Sequence, residues 1–217
     1  GCGTPGIRGA MSDRYREAAV ELSHEVKIKR SRFIAHVRLV RSIADVQGAL
    51  RAVEEAHGQA NHNCWAYRLG TAPPQEYWSD AGEPSGTAGK PILGALDRAG
   101  VTNTMVVVTR YFGGIKLGVR GLIEAYGSVA SEALERAGVR ERRMTRTYSV
   151  DLPYETAPHL FRILAAADVP QSDVTSEYGA SVRMICPIPL DDAPLFESTF
   201  AEWLATKRIT SWSVEDE

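Results

Sequence analysis

Cysteine is scarce in this sequence, and so are long apolar runs. Three cysteines occur in 217 residues, at positions 2, 64 and 186, and no two of them form a C-x-x-C pair. This usage argues against a disulfide framework and is typical of a reducing compartment, so we predict a cytoplasmic protein. The apolar stretch MVVVT at 105–109 has the length of a strand, far short of the roughly 20 residues that span a membrane. We therefore predict no membrane association.

Acidic and basic residues balance over the whole chain but not within each half. Residues 1–143 carry a net charge of +5 and residues 144–217 a net charge of −7. This contrast indicates two domains, and the basic one could meet phosphate, although +5 is also typical of an ordinary solvated surface. The first ten residues lack the apolar segment of a secretory signal. We expect the native chain to begin at Met11, with domains at 11–143 and 144–217, and residues 1–10 to be an expression remnant or an overlong gene assignment.

The pattern of residues 144–217 predicts a ferredoxin-like domain. Polar and apolar residues alternate along 144–153, as in a strand with one buried face. The later elements follow in chain order: a helix at 155–167, two strands folded at Tyr178-Gly179, a helix at 191–205 and a strand at 208–214. The order β-α-β-β-α-β is the split βαβ arrangement, which serves many unrelated functions.

The pattern of residues 11–143 predicts a mixed α/β domain. We therefore predict that the fold class of the whole chain is α+β. The expected strands are two that meet near Arg30-Ser31, one at 64–69 and one at 104–112. The last of these is apolar on both faces, as in the centre of a sheet. The expected helices are one capped by Ser42 that ends at Gly58, one at 88–99 capped by Thr87, and a long one near 120–137.

Two glycine-bearing loops lead into the last two helices. The first, SDAGEPSGTAGKP at 79–91, has Pro84 and Pro91 where a P-loop needs a glycine and a hydroxyl. Since proline has no N–H, this loop is not a P-loop. The second, RYFGGIKLGVRG at 110–121, could bind phosphate at the helix N-terminus. Its glycines could equally make tight turns that let the helix pack closely.

Three polar side chains near these loops are candidates for catalysis. Asp80 and Glu83 could act as a general acid–base pair or as ligands of a hard metal, but we favour capping of the adjacent helix. His62 and Cys64 are two apart on a predicted strand and so lie on one side of it. They are too few for a zinc site, and a cysteine in an apolar strand is usually an inert small hydrophobe. We predict no metal and no cofactor.

A basic run occupies the predicted hairpin, with Lys27 and Lys29 expected on one face of a strand. Such a run is typical of a nucleic-acid-binding edge, and equally of an edge strand whose lysines deter aggregation.

Four segments, in order along the chain, resemble the Impact/YigZ family. They are SRFIA (31–35), NHNCWAY (61–67), SDAGEPSGTAGKPIL (79–93) and RYFGGIKLGVRGLIEAYG (110–127). The resemblance covers essentially everything after Met11. It implies an N-terminal α/β sandwich, also found in a ribosomal small-subunit protein and in elongation factor G, and a ferredoxin-like C-terminal domain of the bacterial type. Eukaryotic members bind a translational activator protein but carry a different accessory domain, so the resemblance does not imply that partner here.

The leading hypothesis is a non-enzymatic factor that binds RNA or the ribosome and is linked to regulation of translation. The predicted phosphate contacts are Lys27, Lys29, Arg30, Arg32, Arg110, Gly113, Gly114, Lys116 and Arg120. The alternative is an enzyme acting on a small anionic or phosphorylated substrate in a cleft between loops 79–91 and 110–121. Its polar groups would be Asp80, Glu83, His62 and Arg110. The acidic C-terminal domain should repel nucleic acid and could take a protein partner on the open face of its sheet.

Overall fold

The computed structural model describes residues 13–71 and 73–215. The predicted start at Met11, the leader 1–10 and Cys2 lie outside these residues. The chain is α+β, as predicted, and divides into two compact units. Tyr15–Arg142 forms the first unit, and the described residues from Arg143 onward form the second together with Asp13 and Arg14.

A five-stranded sheet organises the first unit. The strands of this part of the chain are β1 (Arg14–Ala18), β2 (Leu22–Ile28), β3 (Ser31–Leu39), β4 (His62–Leu69), β5 (Gln75–Ser79), β6 (Thr104–Tyr111) and β7 (Val139–Arg143). The helices are α1 (Ile43–Ala56), α2 (Gly89–Ala99) and α3 (Gly118–Ala137). The sheet has the order β2-β3-β6-β4-β5, with every neighbouring pair antiparallel. β1 and β7 form a separate two-stranded ribbon.

Helices cover both faces of this sheet. Phe33 on β3 packs edge-on against Tyr126 on α3, with ring centroids 5.3 Å apart, within the core shared by α2 and α3. On the other face, Val46 and Val53 of α1 pack in a cluster with Met105 of β6. Because β6 lies between these two layers, all its residues except Tyr111 are buried, which confirms that it is a central strand.

One predicted helix cap is confirmed and the other is wrong. Ser42 caps α1 in a capping box, in which its hydroxyl accepts the N–H of Asp45 and the Asp45 carboxylate accepts the N–H of Ser42. Thr87 does not cap α2: the helix begins at Gly89, and the Thr87 hydroxyl donates to the Pro84 carbonyl at 2.6 Å. The carboxylate of Asp80 takes the capping position instead.

The basic hairpin differs from the prediction in the position of Lys29. β2 ends at Ile28, and Lys29 and Arg30 form the turn, with φ values of 44° and 67°. Both central residues therefore lie in the left-handed region, as a two-residue type I′ turn requires. The predicted sharing of one strand face by Lys27 and Lys29 is wrong, because Lys29 belongs to the turn.

The second unit is ferredoxin-like, as predicted. Its elements are β8 (Thr145–Leu152), α4 (Ala157–Ala166), β9 (Thr175–Tyr178), β10 (Val182–Pro189), α5 (Ala193–Ala205) and β11 (Ser211–Val214). The strand order is β11-β8-β10-β9, so the first strand pairs with the third and fourth. α4 and α5 share one core with the inner residues of these strands, among them Tyr148, whose ring lies 6.0 Å from that of Phe200. The alternate positions of β8 and β10 are more polar, with Arg183 bound to Asp151 at 3.0 Å.

Across residues 13–71 and 73–215, the structure contains no helix long and apolar enough to cross a membrane.

Candidate functional site: the loop end of the first sheet

The first glycine-bearing loop folds around the carboxylate of Asp80. Its Oδ1 accepts the N–H groups of Ala88 and Gly89 at 3.0 and 2.9 Å, and its Oδ2 accepts that of Gly86 at 2.8 Å. Burial raises the pKa of Asp80, but these three hydrogen bonds together outweigh it and lower the pKa below its usual value. The N-terminus of α2 is therefore already occupied by an anion of the same chain, which confirms Asp80 as its cap.

Glu83 anchors the same loop to the elements that flank the second loop. Its Oε1 accepts hydrogen bonds from Arg110 at the end of β6, at 2.6 Å, and from the hydroxyl of Tyr126 in α3, at 2.7 Å. The side chains of Glu83 and Arg110 are 4% and 6% exposed. Burial, with Cys64 and Glu83 nearby, raises the pKa of Tyr126, so the hydroxyl stays protonated and donates. The two glycine-bearing segments are thus tied together at one end of the sheet.

Arg110 is held on several sides, although the sequence suggested a surface cation. Its Cζ lies 5.5 Å from the ring centroid of Phe33 and 5.4 Å from that of Phe112. Its Nη2 also lies 3.4 Å from the hydroxyl of Ser31. The guanidinium of Arg110 forms a buried ion pair with Glu83. Arg110 is therefore not an exposed cation that could contact a phosphate directly.

His62 lies at the edge of this network. The sequence placed it on one side of a strand with Cys64, and the structure confirms this, since His62 pairs with Arg110 across β4 and β6 and Cys64 is buried beneath α2 and α3. The His62 Nδ1 is 2.9 Å from the carbonyl of Ala81, and its Nε2 is 3.9 Å from Oε2 of Glu83. Its side chain is 24% exposed, so His62 is more accessible than Glu83, whose side chain is 4% exposed.

The thiol of Cys64 is buried and protonated. Its thiol donates to the carbonyl of Asp80 at 3.0 Å. Burial raises its pKa to about 12, so it carries almost no thiolate at neutral pH. Its complete burial agrees with the interpretation of Cys64 as a small hydrophobe, and its lack of reactivity stays a prediction.

The basic hairpin lies directly against the second loop. A Cβ placed on Gly113 would lie 2.0 Å from the carbonyl oxygen of Arg30, so only glycine fits between the two segments. The N–H of Gly113 donates to the hydroxyl of Ser31 at 3.3 Å. Asn61, at the entrance to β4, accepts the N–H of Phe112 at 2.8 Å. These contacts fix the turn and the second loop as one surface.

This surface combines exposed cations with exposed apolar side chains. We call it the basic loop surface and define it by Lys29, Arg30, Phe112, Ile115, Lys116 and Arg120, all exposed. Phe112 and Ile115 are 45% and 40% exposed. Among the described residues, no side chain caps the N-terminus of α3 at Gly118, and the first turn of this helix contains no acid. In contrast to α2, this helix presents its N–H groups beside cations.

Gly114 and the remaining predicted cations lie around this surface. Gly114, at φ 85°, has open space where a Cβ would be. Arg32 lies over the ring of Tyr111, at 4.7 Å, and pairs with Glu25 at 3.4 Å. Lys27 is exposed and opposite Arg32 in the β2–β3 register. These two face the α1 side of the sheet, whereas Arg110 faces the α2 and α3 side.

A second polar network, on the α1 face of the sheet, was not predicted. His36 is 4% exposed, with Nδ1 2.8 Å from the hydroxyl of Ser23 and Nε2 3.2 Å from that of Thr109. Burial, with His57 and Arg38 nearby, lowers the pKa of His36 to about 4, so it is neutral at physiological pH. Its alternation with apolar neighbours matched an ordinary strand, so nothing in the pattern marked it. In the described part of the chain, no group of three or more His, Cys, Asp or Glu side chains could hold a metal ion.

The family of the chain follows from its similarity to known proteins. Residues 29–134 match the Impact N-terminal domain. Over 179 residues the chain is 31% identical to IMPACT family member YigZ from Escherichia coli (strain K12), an overlap of 82% of this chain and 87% of that protein. The chain belongs to the IMPACT family.

Two further comparisons extend this assignment. IMPACT family member YvyE from Bacillus subtilis (strain 168) is 44% identical over 131 residues, and this match spans 60% of each chain. A solved structure described as that of a hypothetical protein is 28% identical, with a TM-score of 0.68, covering 95% of this chain and all of that one. The IMPACT-family chain therefore shares its fold over nearly its whole length with a known structure.

Proposed function

We propose that this protein is a non-enzymatic RNA-binding factor that acts near translation, in contact with RNA or the ribosome, and that the basic loop surface makes the contact. The carrying observation is the uncapped N-terminus of α3, set beside exposed cations and an exposed aromatic ring. Cations and free N–H groups would bind phosphates, and Phe112 would stack on an unpaired base. The role near translation rests on the family resemblance.

The arrangement favours single-stranded over double-stranded RNA. The guanidinium of Arg110 packs against the ring of Phe112 and holds it in place. Phe112 is still 45% exposed. A duplex conceals its base faces, whereas an unpaired segment can present one to such a ring. Lys29, Lys116 and Arg120 would then follow the backbone.

The enzyme alternative has less support. The carboxylates of Asp80 and Glu83 are bound by backbone N–H groups, by Arg110 and by Tyr126. A general acid or base must reach a substrate. Glu83 is buried, and both carboxylate oxygens of Asp80 already accept backbone N–H groups. Of the proposed catalytic groups, His62 keeps a partly exposed side chain.

The test is the salt dependence of binding to a short single-stranded oligoribonucleotide. Each phosphate contact contributes a slope of about −0.7 in log K against log salt. Lys116→Gln should weaken binding and reduce that slope by about 0.7, because one contact is lost. Phe112→Ala should weaken binding about tenfold with the slope unchanged, since stacking contributes about 1–3 kcal/mol per base.

The matched control is Lys207→Gln, an equal change of charge at an exposed lysine in the acidic second unit. It should leave affinity and slope as they are. No binding at low salt would refute the proposal, as would an equal loss in the Lys207 variant. Binding of the second unit alone would contradict the predicted division of roles between the domains.

A further inference from the structure

A second concentration of positive charge lies at the opposite end of the first unit. Arg41 follows the C-terminal end of β3, whereas the turn of the basic loop surface precedes its N-terminal end. At about 3.3 Å per residue, the nine residues of β3 separate the two places by about 30 Å. This end of the sheet is therefore a separate location.

Three arginines converge there on one buried carboxylate. Glu17 on β1 is fully buried, and its Oε1 accepts from Nε of Arg140 at 2.7 Å. Nε of Arg142 lies 3.3 Å from the same oxygen, and Nη2 of Arg41 lies 3.0 Å from Oε2. Arg140 and Arg142 are two apart on β7, so both project from the same face of the ribbon.

The charges around Glu17 do not balance. One carboxylate neutralises one guanidinium, so the cluster retains a charge of +2. Asp45, four residues after Arg41, accepts the backbone N–H groups of Arg41 and Ser42 and keeps its negative charge, which offsets part of the charge of Arg41. An excess of at least one positive charge remains. Guanidiniums gathered at one oxygen repel one another, and a fold that needed only to neutralise Glu17 would require fewer of them.

The cluster is held in place yet open to solvent. The side chains of Arg41, Arg140 and Arg142 are 45%, 39% and 44% exposed, although each is bound to a carboxylate with no exposed area. The hydroxyl of Tyr15 also accepts from Nη1 of Arg41, at 3.2 Å. Glu17 thus fixes guanidiniums whose outer parts face water, so little conformational entropy remains to be lost on binding an anion.

We infer that Arg41, Arg140 and Arg142, fixed by Glu17, form a binding site for phosphate groups. Planar guanidiniums bind phosphate oxygens through paired hydrogen bonds, and three of them suit a ligand with more than one negative charge. The ligand is a phosphate oxyanion, either a free phosphorylated compound or a phosphodiester of RNA. This site does not depend on the RNA contact proposed for the basic loop surface.

The test is a titration of the full-length protein with pyrophosphate at physiological ionic strength, followed through the Nε signals of the arginine side chains by NMR. The signals of Arg41, Arg140 and Arg142 should move together and saturate. The signal of Arg16, an exposed arginine next to Glu17 on the same strand, should stay in place. Because this titration uses the unaltered protein, it does not depend on whether any variant folds.

Single substitutions then measure how much one arginine contributes to pyrophosphate binding. Arg142→Gln should weaken pyrophosphate binding about tenfold, as expected for the loss of one charge-assisted hydrogen bond. Arg16→Gln, with the same change of charge on the same ribbon, should not weaken it. Absence of saturable shifts, or equal shifts at Arg16, would overturn the inference.

A third arm identifies the source of the phosphate and separates the two proposals. If an oligoribonucleotide moves the same three signals and pyrophosphate displaces it, the ligand is a phosphodiester. If pyrophosphate alone binds, the ligand is a free phosphorylated compound. Lys116→Gln should leave pyrophosphate binding at the arginine site intact in either case.

Discussion

Removal of the guanidinium of Arg110 tests the claim that its charge belongs to the interior of the protein. Arg110→Ala leaves Glu83 buried, with its side chain only 4% exposed and without its cation. Breaking a buried ion pair by removing one partner costs about 3–5 kcal/mol, because the remaining charge is uncompensated. The variant also loses the contacts of the guanidinium with the rings of Phe33 and Phe112. We therefore expect the first unit to lose about 3–5 kcal/mol of its free energy of unfolding.

Urea denaturation measures this loss, with hydrogen exchange in peptides from residues 15–142 to report on the first unit separately. For a denaturant slope of about 2 kcal/mol per molar, the midpoint should fall by about 2 M. The double variant Glu83→Gln with Arg110→Met should recover part of the loss, because no buried charge is then left alone.

Arg120→Ala is the matched control for Arg110. Arg120 also pairs with a glutamate, Glu124 at 3.2 Å, but its side chain is 93% exposed. We expect no measurable change in the midpoint, since exposed pairs contribute little. Equal effects of the two variants, or a loss below about 1 kcal/mol for Arg110→Ala, would show that burial does not determine the strength of this pair.

Further variants test a close backbone contact, a helix cap and the two buried cysteines. Gly113→Ala should lower the midpoint of unfolding, because its Cβ would meet the Arg30 carbonyl at 2.0 Å, whereas Gly48→Ala in α1, with nothing within 4 Å, should raise stability by about 0.5–1 kcal/mol. A neutral effect of Gly113→Ala would contradict the tight contact. Asp80→Asn should cost about 1–2 kcal/mol at neutral pH. The lowered pKa of Asp80 means that its stabilisation is complete above the ordinary carboxyl pKa and is lost as pH falls through the folded value. The difference from the unaltered protein should therefore shrink below about pH 4, and a constant difference in urea midpoints would refute this. In a Cys2→Ser background, Cys64 and Cys186, whose pKa values burial raises to about 12, should not react with a thiol reagent at pH 8 until the protein unfolds, as mass spectrometry would show.

Strands and helices could be predicted from the sequence wherever their buried faces produce a regular spacing of apolar residues. The alternation along β8, the two apolar faces of β6 and the helical spacing of α3 each identified an element that the structure contains. The short strands β1, β5 and β7 escaped prediction. β5 is exposed at four of its five residues, and β7 carries arginine at three of five positions, so neither has an apolar face to reveal it.

The candidate site was only partly predictable, because pairing between distant charges leaves no local pattern. Arg110 and Glu83 are 27 residues apart, and each looked like a surface residue of a polar loop. Asp80 was recognisable as a cap because helix capping is a local interaction. Gly113 was predicted either to form a tight turn or to bind phosphate. Its contact with the β2–β3 turn could not be predicted, because that turn lies some 80 residues earlier. The arginines around Glu17 come from two separate segments and Glu17 from a third, and no local pattern in the sequence connects them.

Two buried glutamates of the first unit should respond differently to salt, because one faces a single cation and the other faces three. In Glu83→Gln, one guanidinium, 6% exposed, is left without its counter-charge, and ions in solution cannot reach it. In Glu17→Gln, three guanidiniums that are 39–45% exposed repel one another where ions can screen them. We expect the stability lost in Glu17→Gln to be largely recovered between about 0.05 and 1 M NaCl, as the Debye length falls from over 10 Å to about 3 Å. The loss in Glu83→Gln should change little over the same range. Urea midpoints of both variants, each compared with the unaltered protein at the same salt concentration, decide the matter. Equal recovery in the two variants would mean that the arginines around Glu17 do not form an exposed excess of charge, and the phosphate site would lose its basis.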